Sequence, residues 1–342
     1  MRTTIKDIAK KAGVSPATVS LVLNSKPVSI SANTKKKVFE AAKELNYRPN
    51  QLAVSLVTNT TNTIGLIIPD SSNPFFAKLS NEIEKELRNN GINVIIGNTN
   101  GDPIVTQNYL TLFADRCVDG IILAQLDFED SKITKKCQEL ITSLGVPTIF
   151  VDRAIEESEQ YSVYVDQVNI GYTATKHLID LGHKKIGCAT GSLNLKINSD
   201  RYAGYKNAMS ESSLKISKNY IYSESLTSDC GINSLSYLLE QNVTAIFAFN
   251  DLIAYGIYKE CHKRKISIPD ELSVIGVDDI FFSDIIQPSL TTIMQPINLI
   301  GKNAVNGILQ IIKNPNIVVE KTLLDSTLVI RESTTKLSAP KS

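Results

Sequence analysis

Histidine and cysteine are scarce in this chain, and the few present are scattered. The three histidines, His177, His183 and His262, and the five cysteines, Cys117, Cys137, Cys188, Cys230 and Cys261, show no C-x-x-C pair and no zinc-site spacing. No metal site is expected. An odd number of widely spaced thiols is not a disulfide framework; it fits reduced, mostly buried cysteines in a cytosolic protein. Long apolar runs are also missing. None approaches the ~20 residues of a bilayer-spanning helix. Met1-Arg2-Thr3-Thr4-Ile5 lacks the apolar core of a secretory signal, so the expected location is the cytoplasm, with no membrane partner. No G-x-x-x-x-G-K-S/T loop, G-x-G-x-x-G fingerprint, G-x-S-x-G elbow or H-E-x-x-H helix occurs, so neither catalytic residues nor a cofactor are expected. His183, in Gly182-His183-Lys184-Lys185, reads as a helix-terminating surface residue. An excess of charge of one sign is missing too. There are 36 basic and 35 acidic residues among 342, a formal balance of +1, which on its face argues against a nucleic-acid partner.

That balance conceals an uneven distribution. Residues 1–58 hold ten basic side chains against Asp7, Glu40 and Glu44, a balance of +7, which leaves −6 on the rest. A small basic head on an acidic body points to a polyanion partner for the head. A solvated lysine-rich surface would give the same count.

The head reads as three short helices. Ile5, Ile8, Ala9 and Ala12 share one helical face, and Gly13 then breaks the pattern. Ser15-Pro16 is a cap followed by proline at the first helical position. It opens a helix over 16–24 with Val19, Val22 and Leu23 inward. A third amphipathic stretch over 34–45 turns Val38, Ala41, Ala42 and Leu45 to one side. Helix, glycine turn, helix is the helix-turn-helix pattern. The second helix would offer Pro16, Ala17 and Leu21 to base edges, with Thr18 and Ser20 near phosphates. Pro, Ala and Leu make apolar contacts with a thymine methyl but not bidentate ones, so the head should lean on phosphate positioning and DNA shape. Leu21 could equally pack in the core.

The runs Thr4-Ile5-Lys6-Asp7-Ile8-Ala9, Ala12-Gly13-Val14-Ser15, Thr18-Val19-Ser20, Asn24, Thr34 and Leu45-Asn46-Tyr47-Arg48-Pro49-Asn50 resemble the head of the LacI/GalR family of bacterial transcription repressors. The resemblance implies phosphate-side contacts at Thr4, Ser15, Thr18, Ser20, Asn24, Ser31, Thr34, Tyr47 and Asn50. It implies base-facing positions at Pro16, Ala17 and Leu21. Residues 51–57 read as one short helical segment, too short to hold alone, and a polar tract follows over 58–63. In the family this helix pairs with its copy in a second subunit over the minor groove. Leu56 falls on the wedge leucine that kinks the operator. Where the family usually has Ala-Arg-x-Leu, this chain has Ala53-Val54-Ser55-Leu56.

From residue 64 onward short apolar strands alternate with amphipathic helices. The strand candidates are 64–68, 93–96, 120–123, 148–151, 162–165, 185–189, 245–249, 273–277 and 290–294. Such alternation implies parallel sheets with helices on both faces, and its length implies two lobes. Ligands of open α/β sheets bind at the carboxyl ends of the strands. Polar groups and rings gather there: Asp70-Ser71-Ser72-Asn73-Pro74-Phe75-Phe76, Gly97-Asn98, Asp152-Arg153, Asp166, Asn250-Asp251 and Asp278-Asp279, with Arg201 opening a helix. Rings to stack on a sugar face, with carboxylates, amides and a guanidinium for its hydroxyls, suit a small neutral polyol. Asp251 and Asn73 could instead be helix caps.

The body also resembles the family's effector domain, through Asn73-Pro74-Phe75-Phe76, Arg201-Tyr202-Ala203-Gly204-Tyr205, Ile275-Gly276-Val277-Asp278-Asp279 and Pro288-Ser289-Leu290-Thr291-Thr292. That domain is periplasmic-binding-protein-like. The resemblance implies effector contacts at Ser71, Asn73, Phe75, Phe76, Asp152, Arg153, Arg201, Asn250 and Asp278. The subgroup is similar to ribose and other pentose repressors, with a purine-responsive member or a regulator using a protein corepressor as alternatives. The expected organisation is a helix-turn-helix head (1–49), a hinge helix and linker (50–63), a two-lobed α/β body (64–335) and a tail (336–342). The expected partners are a palindromic operator, a small effector and a second copy of the chain. The segment after Arg331, residues 332–342, has no leucine heptad, so a dimer is expected.

Overall fold

The computed structural model describes residues 3–23, 30–47, 60–124, 126–152, 161–317 and 320–337. The chain divides between Thr61 and Asn62 into two compact units.

The first unit is built on three helices. α1 (Ile5–Ala12) is closed by a reciprocal cap in which Thr4 and Asp7 satisfy each other's backbone, and it stops at Gly13 in the left-handed region (φ 66°). α2 (Pro16–Leu23) starts where Ser15 Oγ accepts from Thr18 N at 3.1 Å. α3 (Ala32–Glu44) starts where Ser31 Oγ accepts from Thr34 N, also at 3.1 Å. It begins two residues before the sequence expectation because Ser31 is the cap. Ile8, Ala9, Val19, Val22, Val38 and Ala41 form the core. At about 1.5–3 kcal/mol for each large aliphatic, the four here with two alanines make a small core, so helix caps matter.

The second unit holds two six-stranded sheets of the same plan. The first lobe consists of β1 (Thr63–Ile68), β2 (Asn93–Asn98), β3 (Gly120–Leu123), β4 (Thr148–Asp152), β5 (Ser162–Val165) and β11 (Thr322–Leu324), in the order β11-β5-β4-β3-β1-β2. The second consists of β6 (Ile186–Gly191), β7 (Ile221–Glu224), β8 (Ala245–Ala248), β9 (Ser273–Asp278), β10 (Thr291–Met294) and β12 (Thr327–Val329), in the order β12-β10-β9-β8-β6-β7. All pairings are parallel except β10 with β12. Nine of these twelve were visible in the sequence as apolar runs, most of them because a strand buried on both faces reads as one continuous run; β2, an exposed edge strand, showed through its Val94-Ile95-Ile96 run. The three that were not, β7, β11 and β12, are short edge strands.

Position by position, β4 of one lobe corresponds to β9 of the other, and β1 to β6. Each sheet reverses its strand order beside that first strand, which creates a crevice at the carboxyl ends. The chain passes between lobes three times. It leaves β5 for α7 (Gln167–Asp180), leaves β10 for α11 (Ile297–Lys313), which packs on the first sheet, and leaves β11 for β12. Three crossings allow the lobes to hinge without parting.

Several surroundings differ from the sequence reading. His183 is 2% exposed, bonded through Nδ1 to Thr244 Oγ1 and through Nε2 to Thr335 O. It is a buried brace for the C-terminal segment, not a surface residue. That segment stays packed to Leu337, whose N–H donates to Leu181 O. Cys137, Cys188, Cys230 and Cys261 are buried and Cys117 is exposed. Among the described residues, no helix is long and apolar enough to cross a membrane.

Candidate functional site

The second lobe sets the floor of the crevice. α7 and α8 (Lys196–Glu211) cross so closely that a Cβ on Gly171 would lie 1.9 Å from Arg201 O. This approach brings Arg201, 2% exposed, against Gln167: its Nε donates to Gln167 Oε1 at 2.8 Å and its Nη1 to Phe249 O. A buried guanidinium needs such partners. Asp278 ends β9 at 8% exposure, with a left-handed φ of 111°, and its Oδ1 accepts from Gln295 Nε2 at 2.8 Å. Burial pushes its carboxyl up to about 7, while the positive charge of Arg201 and the Gln295 bond act the other way.

The first lobe supplies the other wall. Asn73 caps α4 (Pro74–Asn89) by accepting from Phe75 N at 3.0 Å, which turns Phe75 and Phe76 inward, edge to face at 5.1 Å and 85°. Asp152 ends β4 at 2% exposure, again with left-handed φ (73°). Two buried carboxylates thus end corresponding strands of the two lobes, both in a backbone region that is costly for a residue other than glycine. Strain of this kind persists where surrounding structure holds a site in shape.

One cavity of about 380 Å³ is lined by Asn73, Phe75, Phe76, Asp152, Arg201, Asn250 and Asp278 of the expected contacts. The same lining includes Asp70, from the polar cluster after β1, and Asn198, Glu224, Leu195, Ile197, Leu226 and Gln295, which the sequence did not single out. Ser71 is not part of it: its side is exposed and its backbone N–H donates to Asn98 Oδ1 at 2.7 Å, so the loop turns it outward. Asn250 lines the cavity, yet its side chain is held at both ends. Oδ1 caps α10 (Asp251–Arg264) by accepting from Ile253 N, and Nδ2 donates to Leu226 O. Asp251 does not cap that helix. Its buried carboxylate accepts from Ile280 N, Ser283 Oγ and Thr292 Oγ1, tying α10 to the segment between β9 and β10. Arg153 lies outside the described residues.

In the head, Thr4, Ser15, Pro16, Ala17 and Ser31 are exposed, and Thr18, Ser20, Leu21, Thr34 and Tyr47 are half-buried. The α2 face that packs in the core is Val19, Val22 and Leu23, with Leu21 half-buried outside it. Ser15 with Thr18 and Ser31 with Thr34 repeat one arrangement, with hydroxyls 2.9 Å apart at two helix N-termini. Lys35, Lys36 and Lys37 follow within the first turns of α3, where the helix dipole disfavours a cation. A phosphate at such a terminus reverses that cost. Asn24, Asn50 and Leu56 lie outside the described residues.

Comparisons with known proteins agree over nearly all of the chain. Residues 61–332 match the family of periplasmic binding proteins and sugar binding domain of LacI family, and residues 4–50 match bacterial regulatory proteins, lacI family. The chain is 36% identical to the ribose operon repressor of Haemophilus influenzae, over 96% of this chain and 98% of that one. It is 34% identical to the HTH-type transcriptional repressor PurR of Photobacterium profundum, over 98% and 99%. Among solved structures, the lac repressor dimer bound to operator and the anti-inducer ONPF superposes with a TM-score of 0.86 at 25% identity, over 98% and 100%. A LacI family transcriptional regulator from Enterococcus faecium with bound ribose superposes with a TM-score of 0.73 at 30% identity, over 81% and 100%. With a three-helix basic head and a two-lobed body each matched in full, the chain belongs to the LacI family of bacterial regulatory proteins, as a DNA-binding transcriptional repressor and not an enzyme.

Proposed function

We propose that this repressor acts in the cytoplasm as a homodimer on a palindromic operator, and that its operator affinity is set by a small neutral sugar, a pentose such as ribose, held between the two lobes. The observation that carries the effector reading is the convergence of Asp152, Arg201 and Asp278, all buried, with the Phe75–Phe76 pair on one cavity. Carboxylates and a guanidinium pair with hydroxyls, and a ring edge or face covers the C–H side of a sugar. The identity to a ribose operon repressor supports the same class. A purine base would call for parallel apolar faces above and below its plane, whereas Phe75 and Phe76 stand nearly perpendicular.

Closure of the lobes on the ligand draws on the crossings themselves. Gln167 stands at the first crossing and holds Arg201; Gln295 stands at the second and holds Asp278. Ligand contacts with Arg201 and Asp278 therefore bias the lobe angle, and the angle biases the operator-bound state, a coupling typically worth ~1–3 kcal/mol. In the head, Pro16, Ala17 and Leu21 face bases while the capped termini of α2 and α3 meet phosphates. The segment over 50–63, with Leu56 as wedge, joins head to body.

Thermal shift against pentoses, hexoses and nucleobases tests the effector class. At 100 times its dissociation constant a ligand adds about 2.7 kcal/mol, and the pentose set should give the largest shift; a larger shift with a nucleobase overturns this reading. Removal of residues 1–60 should abolish operator binding in a gel-shift titration while leaving the sugar response intact. Operator affinity that survives the truncation would sink the head assignment.

A further inference from the structure

The helix that carries Arg201 starts without a cap from its own lobe. Leu195 stands at the N-cap of α8 and makes no side-chain cap bond, since it has no oxygen to offer the first N–H groups of the helix. The acceptor comes from the first lobe. Asp127, on the loop after β3, accepts through Oδ2 from Lys196 N at 2.5 Å. The N-terminus of a helix carries partial positive charge, so a carboxylate suits it. The ammonium of Lys196 itself turns along the helix to Asp200 at 3.1 Å, and it is the backbone end of the helix that Asp127 meets.

The first lobe holds Asp127 in position. Its neighbours Leu126 and Phe128 are 4% and 8% exposed and pack in one cluster with Ile121 and Leu123 of β3. Phe128 N also donates to Thr134 Oγ1 at 3.1 Å. Where the residues on either side point inward, the one between them points outward, and Asp127 is half-buried. Neither Asp127 nor Lys196 lines the cavity proposed for the effector. The bond therefore joins the two lobes beside that cavity and not within it.

We propose that Asp127 is a positioning residue, a latch that caps α8 only while the lobes are together and so sets the balance between closed and open forms before any ligand binds. Opening breaks the bond and leaves the end of α8 uncapped; closing restores it. A ligand that needs the closed form binds more weakly when that form is less populated, so Asp127 tunes affinity without touching the ligand. The latch does not depend on what the ligand is; its effect on affinity rests on the cleft being the effector site.

The test compares the full chain as wild type, Asp127→Ala and Asp127→Asn in two readouts. The first, amide hydrogen exchange over residues 193–200, needs no ligand. Lys196 N–H lies in the first turn, where no acceptor within the helix protects it, so slow exchange there reports the latch. Asp127→Ala should speed it about fivefold, the worth of one helix cap. Asp127→Asn keeps a capping oxygen and should stay within about twofold of wild type. The second readout is calorimetry with D-ribose, in which Asp127→Ala should bind about threefold or more weakly than wild type and Asp127→Asn should not. Saturating D-ribose should slow the Lys196 exchange further in wild type and in Asp127→Asn, but not in Asp127→Ala. Unchanged exchange in Asp127→Ala, equal losses in both variants, or faster exchange with unchanged ribose affinity would each overturn the latch. If ribose gives no heat with wild type, the pentose reading falls and the exchange readout alone decides the latch. The ligand-free melting temperature reports whether each variant folds; should Asp127→Ala fail, Asp127→Ser, one atom shorter in reach, takes its place.

Discussion

In the first lobe the helix after β1 opens Pro74-Phe75-Phe76 and delivers rings; in the second the helix after β6 opens Lys196-Ile197-Asn198 and delivers Arg201 a turn later. The sheets behind these helices share one strand plan, and β4 and β9 end in matching strained carboxylates, Asp152 and Asp278. A shared scaffold therefore fixes where the crevice lies, while the residues that open each helix decide what each wall offers. On the proposed function, the second lobe would orient the ligand through buried polar groups already tied to one another. The first lobe would cover it with Phe75 and Phe76, which also pack in the main hydrophobic core. The lobe with the tethered polar network should dominate affinity.

The most damaging change should be Arg201→Met. It keeps the length of the side chain but removes a buried charge held by Gln167 and Phe249 O and proposed to meet the ligand. Sugar affinity should fall by about 100-fold or more, because losing one partner of a buried charged contact costs ~2–5 kcal/mol. Asp278 then faces its buried site without the neighbouring cation, so the melting temperature should fall as well. Affinity within tenfold of wild type would show that the second lobe does not dominate.

Asp278→Asn should separate function from stability. Asparagine tolerates the left-handed backbone that β9 requires there, so the change removes charge with little strain. Burial holds the Asp278 carboxyl up near 7, which means that its ionised form is disfavoured by the fold. The ligand-free protein should gain about 1 kcal/mol at pH 8, read by urea unfolding, while sugar affinity drops about tenfold. A stability loss at pH 8 would mean that the carboxylate serves the fold rather than the ligand.

On the opposite wall, Phe76→Leu keeps an apolar side chain and loses only ring area. Affinity should fall about fivefold, since losing part of an apolar contact is worth ~1 kcal/mol, and the preference among pentoses should narrow. A loss equal to that of Arg201→Met would erase the distinction between the walls.

The same contrast governs what could be read from sequence. Continuous apolar runs such as 64–68 and 273–277 announce buried parallel strands, and the rule that ligands gather at strand ends led to Phe75, Phe76, Asp152 and Asp278. Ile221–Glu224 did not stand out because an edge strand needs only one apolar face. Gln295 was missed because it lies on a crossing between lobes, and no local pattern shows which strand ends a crossing will approach. Asn198 looks like one polar residue among several in the run 196–200; only the fold reveals that it is fully buried, its amide held by Ser192 O. Ser71 lies off the cavity for the converse reason, since Asn98 captures its backbone and turns the loop outward. Asp251 had the sequence of a cap, but Asn250, one residue earlier, took that role and freed the carboxylate for Ser283 and Thr292.

The smallest expected effect is a pH dependence. Burial raises Asp278 to about 7 and Asp251 to about 6, both from an ordinary value of 3.8. Between those limits the folded chain keeps protons that the unfolded chain has lost. Stability from these two groups is therefore greatest below about pH 4 and falls as pH rises, until each carboxyl is ionised in the fold as well. Lowered carboxyls such as Glu332, held down by bonds from Ser289, act in the opposite sense at the acid end, so the raw profile is a sum. Subtracting the profile of Asp278→Asn isolates one contribution: the melting-temperature difference between variant and wild type should grow from pH 5 to pH 8 by a few degrees, at about 2–4 °C per kcal/mol for a domain of this kind. Sugar affinity should run the other way. Hydroxyls donate to the ionised carboxylate, so wild-type affinity should rise through pH 7, and the Asn variant should show no such rise. Because Arg201 stays charged throughout, this slope belongs to Asp278, and a flat wild-type affinity from pH 6 to pH 8 would show that the ligand does not engage that carboxylate.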